Sequence, residues 1–139
     1  MEVKSCINFL LSASQHTVFK HFSNALAQYK VTPAQYGVLN CLWEKGNLSP
    51  KQIREILLLE ASSVSGILDR MQKLDLIDRT IDPNNRRTII VSPTDKANAL
   101  RPPIESLVER MNHKYLQDFS PEEKDLLKKA LIKIIDIGQ

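Results

Sequence analysis

A chain of 139 residues with 42% apolar and 25% charged side chains has the balance of one ordinary globular domain. It can bury roughly two-thirds of its unfolded surface, has no room for a second catalytic domain, and has no apolar run near the roughly 20 residues a membrane helix needs. The net charge of +3 is concentrated between residues 45 and 92, where eight Lys and Arg stand against six Asp and Glu, a pattern compatible with a nucleic-acid partner but not proof of one.

From Val3 onwards, Ile7, Leu10, Val18, Phe22, Ala25, Leu26 and Tyr29 recur at helical spacing, and Phe9, Leu11 and Phe19 add apolar surface off that stripe. One long helix with two apolar faces is predicted, and a partner subunit is expected to cover what the domain leaves open. The short apolar stretch runs on into helix-patterned sequence, so the N-terminus reads as mature cytoplasmic protein and not as a signal peptide. Cys6 and Cys41 belong to no CxxC pair, which argues against a zinc site or a disulfide framework. Both read as small buried hydrophobes, and a redox-sensing Cys6 is the sharper alternative.

Three helix starts share one design. Thr32 with Pro33 and Gln35, Ser49 with Pro50 and Gln52, and Ser120 with Pro121 and Glu123 each offer a hydroxyl cap, a proline at the first helical position and a side chain reaching back from the third. The second helix is predicted over 33–45, stopped by Gly46, and the third over 50–57. A fourth helix carries Val64, Ile67, Leu68, Met71 and Leu74 on an apolar stripe, opposite a face of Ser62, Ser63, Ser65, Gly66, Asp69, Arg70 and Lys73. Small side chains on that face allow another molecule to approach the backbone closely. The β-branched runs 76–81 and 88–92 predict a hairpin whose polar loop holds Pro83, Asn85, Arg86 and Arg87. Thr94 caps a fifth helix, which must kink or restart at Pro102 and Pro103, and a sixth carries Leu126, Leu127, Ala130, Leu131, Ile134 and Ile135.

A short helix, a turn, a second helix with a small polar outer face, then a hairpin with a basic tip is the order of a winged helix-turn-helix. An α-helix fits the major groove of duplex DNA, and a basic hairpin reaches phosphates or the minor groove beside it. The fold class expected is therefore mainly α with a small β-hairpin, a winged core flanked by terminal helices. The DNA-binding residues expected are Ser62, Ser63, Ser65 and Arg70 on the recognition helix and Arg86 and Arg87 on the wing.

The segment from Val31 to Leu100 resembles the multiple-antibiotic-resistance regulator (MarR) family of transcription factors. The resemblance is carried by "TPAQYGVLNCL", by "SSVSGILDRMQKLDLIDR" and by the wing "DPNNRRTIIVSPT". It implies a homodimer, with residues 1–30 and 100–139 as dimerisation helices and 31–99 as the DNA-binding core. It further implies a pseudo-palindromic operator and repression relieved by a small aromatic or anionic effector. By the same resemblance Arg87 enters the minor groove, leaving Arg86 for a phosphate or for Asp82. Four positions depart from the family pattern: Asn85 replaces an Asp, Pro93 a Leu and Ala97 a Gly in the passage after the wing, and Asp75 replaces the Gly that ends the recognition helix. Asn85 lacks the charge to hold a wing guanidinium strongly, so a looser wing is expected.

Rival functions have less support in the residues. His16, His21 and His113 are too scattered for a metal set, and no serine sits in a nucleophile-elbow context, so neither an enzyme nor a metal or other cofactor is expected. A winged helix used only for protein contacts would share the fold without needing the wing arginines. His16, His21 and Tyr36 could border an effector cleft, but each is more readily a packing or surface residue, and no effector-binding residue is assigned.

Overall fold

Helix α1 spans Ile7–Leu26 in the computed structural model, which describes residues 1–139. Single 3-10 turns at Val3–Ser5 and Ala27–Tyr29 flank it. The one helix expected from Val3 is thus interrupted at Cys6, whose extended backbone (φ −89°, ψ 118°) makes it the residue before α1. Cysteine offers no strong cap acceptor, and no side-chain bond closes this helix start.

Helices α2 (Pro33–Lys45) and α3 (Pro50–Leu57) begin at the expected boxes. Thr32 Oγ1 accepts the Gln35 N–H at 3.2 Å, while Gln35 Oε1 accepts the Thr32 N–H at 3.0 Å. The Ser49–Gln52 pair does the same at 3.2 and 2.9 Å. Val31 and Leu48, the apolar residues before these caps, are buried, as a staple on the entering chain requires.

Helix α4 (Ala61–Lys73) buries Val64, Ile67, Leu68 and Met71. Leu74 was expected on the same stripe but is 42% exposed. The helix has ended by then, since Asp75 turns the chain with a left-handed φ of 60°. Asp is one of the few side chains that tolerate this region, so it can stand where the resembled family has glycine. The α3–α4 turn has no such residue: Leu58 adopts φ 57° and is 50% exposed. Leu58→Gly is therefore expected to stabilise the protein by up to about 1 kcal/mol, because relief of a left-handed cost of about 1–2 kcal/mol exceeds the extra chain entropy of glycine. Thermal unfolding checks this, and a lowered midpoint would show that Leu58 packing outweighs its backbone strain.

The two strands, β1 (Ile77–Asp82) and β2 (Asn85–Pro93), pair antiparallel from Ile77↔Pro93 to Ile81↔Ile89. The register then shifts and Asp82 pairs with Asn85. The turn is only Pro83 and Asn84, tighter than the expected loop, so Arg86 and Arg87 lie in the irregular start of β2 and not in the tip. Two local bonds account for this. Asp82 Oδ1 accepts the Asn84 N–H at 2.9 Å and Asn85 Oδ1 accepts the Arg87 N–H at 3.2 Å, which is how Asp and Asn side chains fold a chain on itself. At the other end of the hairpin, Leu48 and Val91 exchange both backbone bonds, at 3.2 and 2.7 Å. The segment before α3 is thereby fixed to the root of β2.

Of the kink or restart expected at Pro102 and Pro103, the restart does not occur: helix α5 (Asp95–Leu116) runs through both prolines. The prolines remove two N–H donors from its ladder, and the chain divides into two compact units just beyond them, at Ile104. The first unit, Met1–Ile104, has its core in Leu26, Val38, Leu39, Leu42, Ile53, Val64, Leu68, Met71, Ile77 and Val91. Ala97, in the family's glycine position, is fully buried there. The second unit holds the rest of α5 and helix α6 (Pro121–Ile137). Ser120 and Glu123 close the third capping box at 3.1 and 2.9 Å, but α6 buries none of its residues. The architecture is mainly helical with one hairpin, as the sequence predicts.

Candidate nucleic-acid interface

The face of α4 opposite its buried stripe carries Ser62, Ser63, Ser65 and Arg70, all exposed. Core packing through Val64, Ile67, Leu68 and Met71 sets this orientation, because the rotation that buries four apolar side chains forces the serines outward. Gly66 lies between them. A methyl group there would stand 3.6 Å from Arg70 Nη1, so the guanidinium folds back along the helix over the glycine.

Arg86 and Arg87 are exposed and their guanidiniums make no hydrogen bond or ion pair within the chain. Arg86 is not paired to Asp82, whose carboxylate accepts the Asn84 N–H. The expectation for Asn85 also changes, since its side-chain oxygen binds the Arg87 backbone N–H and not a guanidinium. Shaping the wing backbone needs an acceptor, which Asn supplies as Asp does.

Sequence reasoning missed three cations that the fold brings to this region. Lys51 and Arg54 of α3 line a groove of ≈ 290 Å³ together with Ser65, Leu68, Arg79 and Ile89. The groove places α3, α4 and the hairpin around one concavity. The i,i+3 spacing of Lys51 and Arg54 in a helix start already in view was the available signal. Arg79 on β1 donates from Nε to Gln72 Oε1 at 2.7 Å and from Nη2 to Asp69 Oδ1 at 2.9 Å.

Residues after the hairpin cap the C-terminal end of α4. Thr94 Oγ1 donates to the Asp75 carbonyl at 2.7 Å, and Lys96 Nζ to the Leu74 carbonyl at 2.8 Å. These carbonyls have no helical partner, and a cation beside them also suits the helix dipole. Thr94 also accepts the Ala97 N–H at 3.2 Å, the cap expected for α5. Arg101 further along α5 donates to the Trp43 carbonyl at 2.8 Å and reaches Glu44 at 3.1 Å.

Of the residues weighed for an effector cleft, His16 and His21 are exposed on α1, while Tyr36 meets Phe22 edge-on at 5.4 Å between ring centres. Cys6 is half-buried ahead of α1 and Cys41 is buried in α2. Burial pushes the Cys41 thiol up, so Cys41 stays a neutral core residue. No helix is long and apolar enough to cross a membrane.

This geometry matches known proteins. The family model described as "MarR family" matches residues 31–89, from the residue before the α2 cap to the middle of β2. The HTH-type transcriptional regulator MgrA of Staphylococcus aureus is 28% identical over 134 residues, 96% of this chain and 90% of that protein. Among solved structures, the transcriptional repressor CouR bound to a 23-mer DNA duplex is 27% identical with a TM-score of 0.88, covering 96% of this chain and 95% of that one. The PcaV transcriptional regulator of Streptomyces coelicolor, solved with its natural ligand, is 20% identical with a TM-score of 0.91, covering 100% and 98%, and shares the fold. With its winged helix-turn-helix, this family match, and 30% identity over 113 residues to the HTH-type transcriptional regulator YsmB of Bacillus subtilis (78% of this chain, 75% of that protein), the chain belongs to the MarR family of transcriptional regulators, which are not enzymes.

Proposed function

We propose that this regulator is a homodimer that binds a pseudo-palindromic operator in double-stranded DNA and represses transcription in the cytoplasm until a small aromatic or anionic effector releases it. Ser62, Ser63, Ser65 and Arg70 enter the major groove, Arg87 enters the minor groove, and Arg86 contacts a phosphate. The observation that carries this reading is the pairing of an exposed, small-residue face on α4 with two wing arginines that make no ion pair in the chain. Cations left without partners on an exposed hairpin suit a polyanion. Lys51 and Arg54, on the helix before the recognition helix, extend the phosphate contacts.

The dimer is supported by large apolar side chains left open to solvent on two helices. Ile7, Val18 and Phe19 of α1 are 41–59% exposed, and Leu126, Ile132 and Ile135 of α6 are 46–68% exposed. On each helix, large apolar side chains left exposed mark an interaction site. Residues 1–30 and 100–139 serve as the dimerisation segments and 31–99 as the DNA-binding core. Repression and effector release are drawn by analogy, the first from CouR as a repressor on DNA and the second from the PcaV complex with its ligand.

Selection of bound sequences from random duplex DNA, with the protein's mass measured in solution, tests the reading. The expected result is a dimer and a two-fold symmetric motif with half-sites roughly 10 base pairs apart. A monomer with an asymmetric motif would refute the two-fold arrangement. Binding to no duplex at any salt concentration would leave a winged helix used for protein contacts.

A further inference from the structure

We infer that Arg79 is a positioning residue that locks the wing to the recognition helix, through Asp69 and Gln72, so that Arg70 and Arg87 engage DNA as one unit. This rests on the DNA-binding reading above. Along the inward face of β1, Ile77 is 1% exposed, the Arg79 side chain 28% and Ile81 65%. Arg79 therefore stands where the hairpin leaves the core. Beyond it the cross-strand pair Ile81↔Ile89 is exposed on both sides, so no buried apolar contact fixes the outer wing. The planar fork of Arg79 takes over, with Nε on Gln72 at 2.7 Å and Nη2 on Asp69 at 2.9 Å. Asp69 and Gln72 lie one turn apart on the same side of α4. A guanidinium bonded to two such acceptors fixes rotation as well as distance, which a lysine cannot do.

The exposure of the pair argues that its main effect is geometric. A partly solvated ion pair adds little to global stability, but an angle fixed in advance removes ordering that binding would otherwise require. The bracket also neutralises Asp69, the carboxylate beside Arg70 on the recognition helix, which would otherwise repel a phosphate.

The test compares wild type with Asp69→Asn and Arg79→Lys. Amide hydrogen exchange on the free protein is expected to speed up across residues 80–90 in both variants, with their melting midpoints nearly unchanged. On the selected operator each variant is expected to bind about three- to tenfold more weakly. Adding Arg87→Ala to either should then cost less than it costs in wild type, since an untethered wing has already lost part of its contribution. If Arg79 instead grips a phosphate directly, Asp69→Asn removes a repelling charge and tightens binding, which overturns the proposal. Unchanged exchange in the wing overturns it as well. Faster exchange in the variants with no operator binding by wild type refutes the DNA-binding reading and, with it, this role, leaving only a structural tether.

Discussion

Arg87→Ala is expected to weaken operator binding by roughly ten- to a hundredfold, the range for losing a hydrogen-bonded contact to a charged group. It should also lower the magnitude of the log K against log salt slope by about 0.9, the release of about one counterion. Asp82 and Asn85 each fold the chain through a bond to a backbone N–H two residues on, at 2.9 and 3.2 Å. The tip is therefore shaped without using either guanidinium, and both arginines remain available to a ligand. The loss should be largest on sites with AT-rich flanks, where a narrow minor groove concentrates negative potential. Arg86→Ala is expected to reduce the salt slope similarly without a preference for flank sequence. Binding measured as a function of salt, on flanks differing in AT content, separates the two. If both substitutions leave affinity and slope unchanged, the wing arginines are ordinary solvated charges.

Arg70→Ala is expected to relax sequence preference at one position of each half-site, by about 1–3 kcal/mol if the contact is bidentate to a base. The serines beside it are tolerant donors and acceptors, so they discriminate less, and Arg70 is the one long cation among the four expected contacts on this helix. Its free conformation matters here. The guanidinium lies over Gly66, and reaching a base edge requires it to swing away from the helix. No ion pair holds it back, since Asp69 is bonded to Arg79. Profiling the variant against a library of half-site substitutions decides the role. Relaxed preference at a single base pair confirms base reading, whereas uniform weakening across all sequences reassigns Arg70 to a phosphate.

Much of the fold was legible because its signals are local. Each capping box places donor and acceptor within three residues, so Thr32, Ser49 and Ser120 announced their helices without reference to anything distant. The buried stripe of α4 follows from helical period alone, and it fixed the outward face of Ser62, Ser63, Ser65 and Arg70 at the same time. The errors fell where a local signal meets a backbone detail. Leu74 fits the stripe by spacing but lies beyond the point where Asp75 turns the chain, and the hairpin is tighter than its composition implied because two side chains fold its turn.

By itself, then, the sequence determined the three helix starts with capping boxes, the core face of the recognition helix, and a winged order with arginines near its tip. Helical period and capping act over one or two turns, and a single chain displays both. Tertiary structure alone decided which charges are occupied and which are free. Arg79, Arg86 and Arg87 look alike in "RTIDPNNRR", yet the first is bonded to Asp69 and Gln72 of α4 while the other two face solvent. Lys51 and Arg54 join the groove only because α3 packs beside α4 and the hairpin. An ion pair depends on a few ångströms between residues that are distant along the chain, and no periodicity in the sequence encodes that distance.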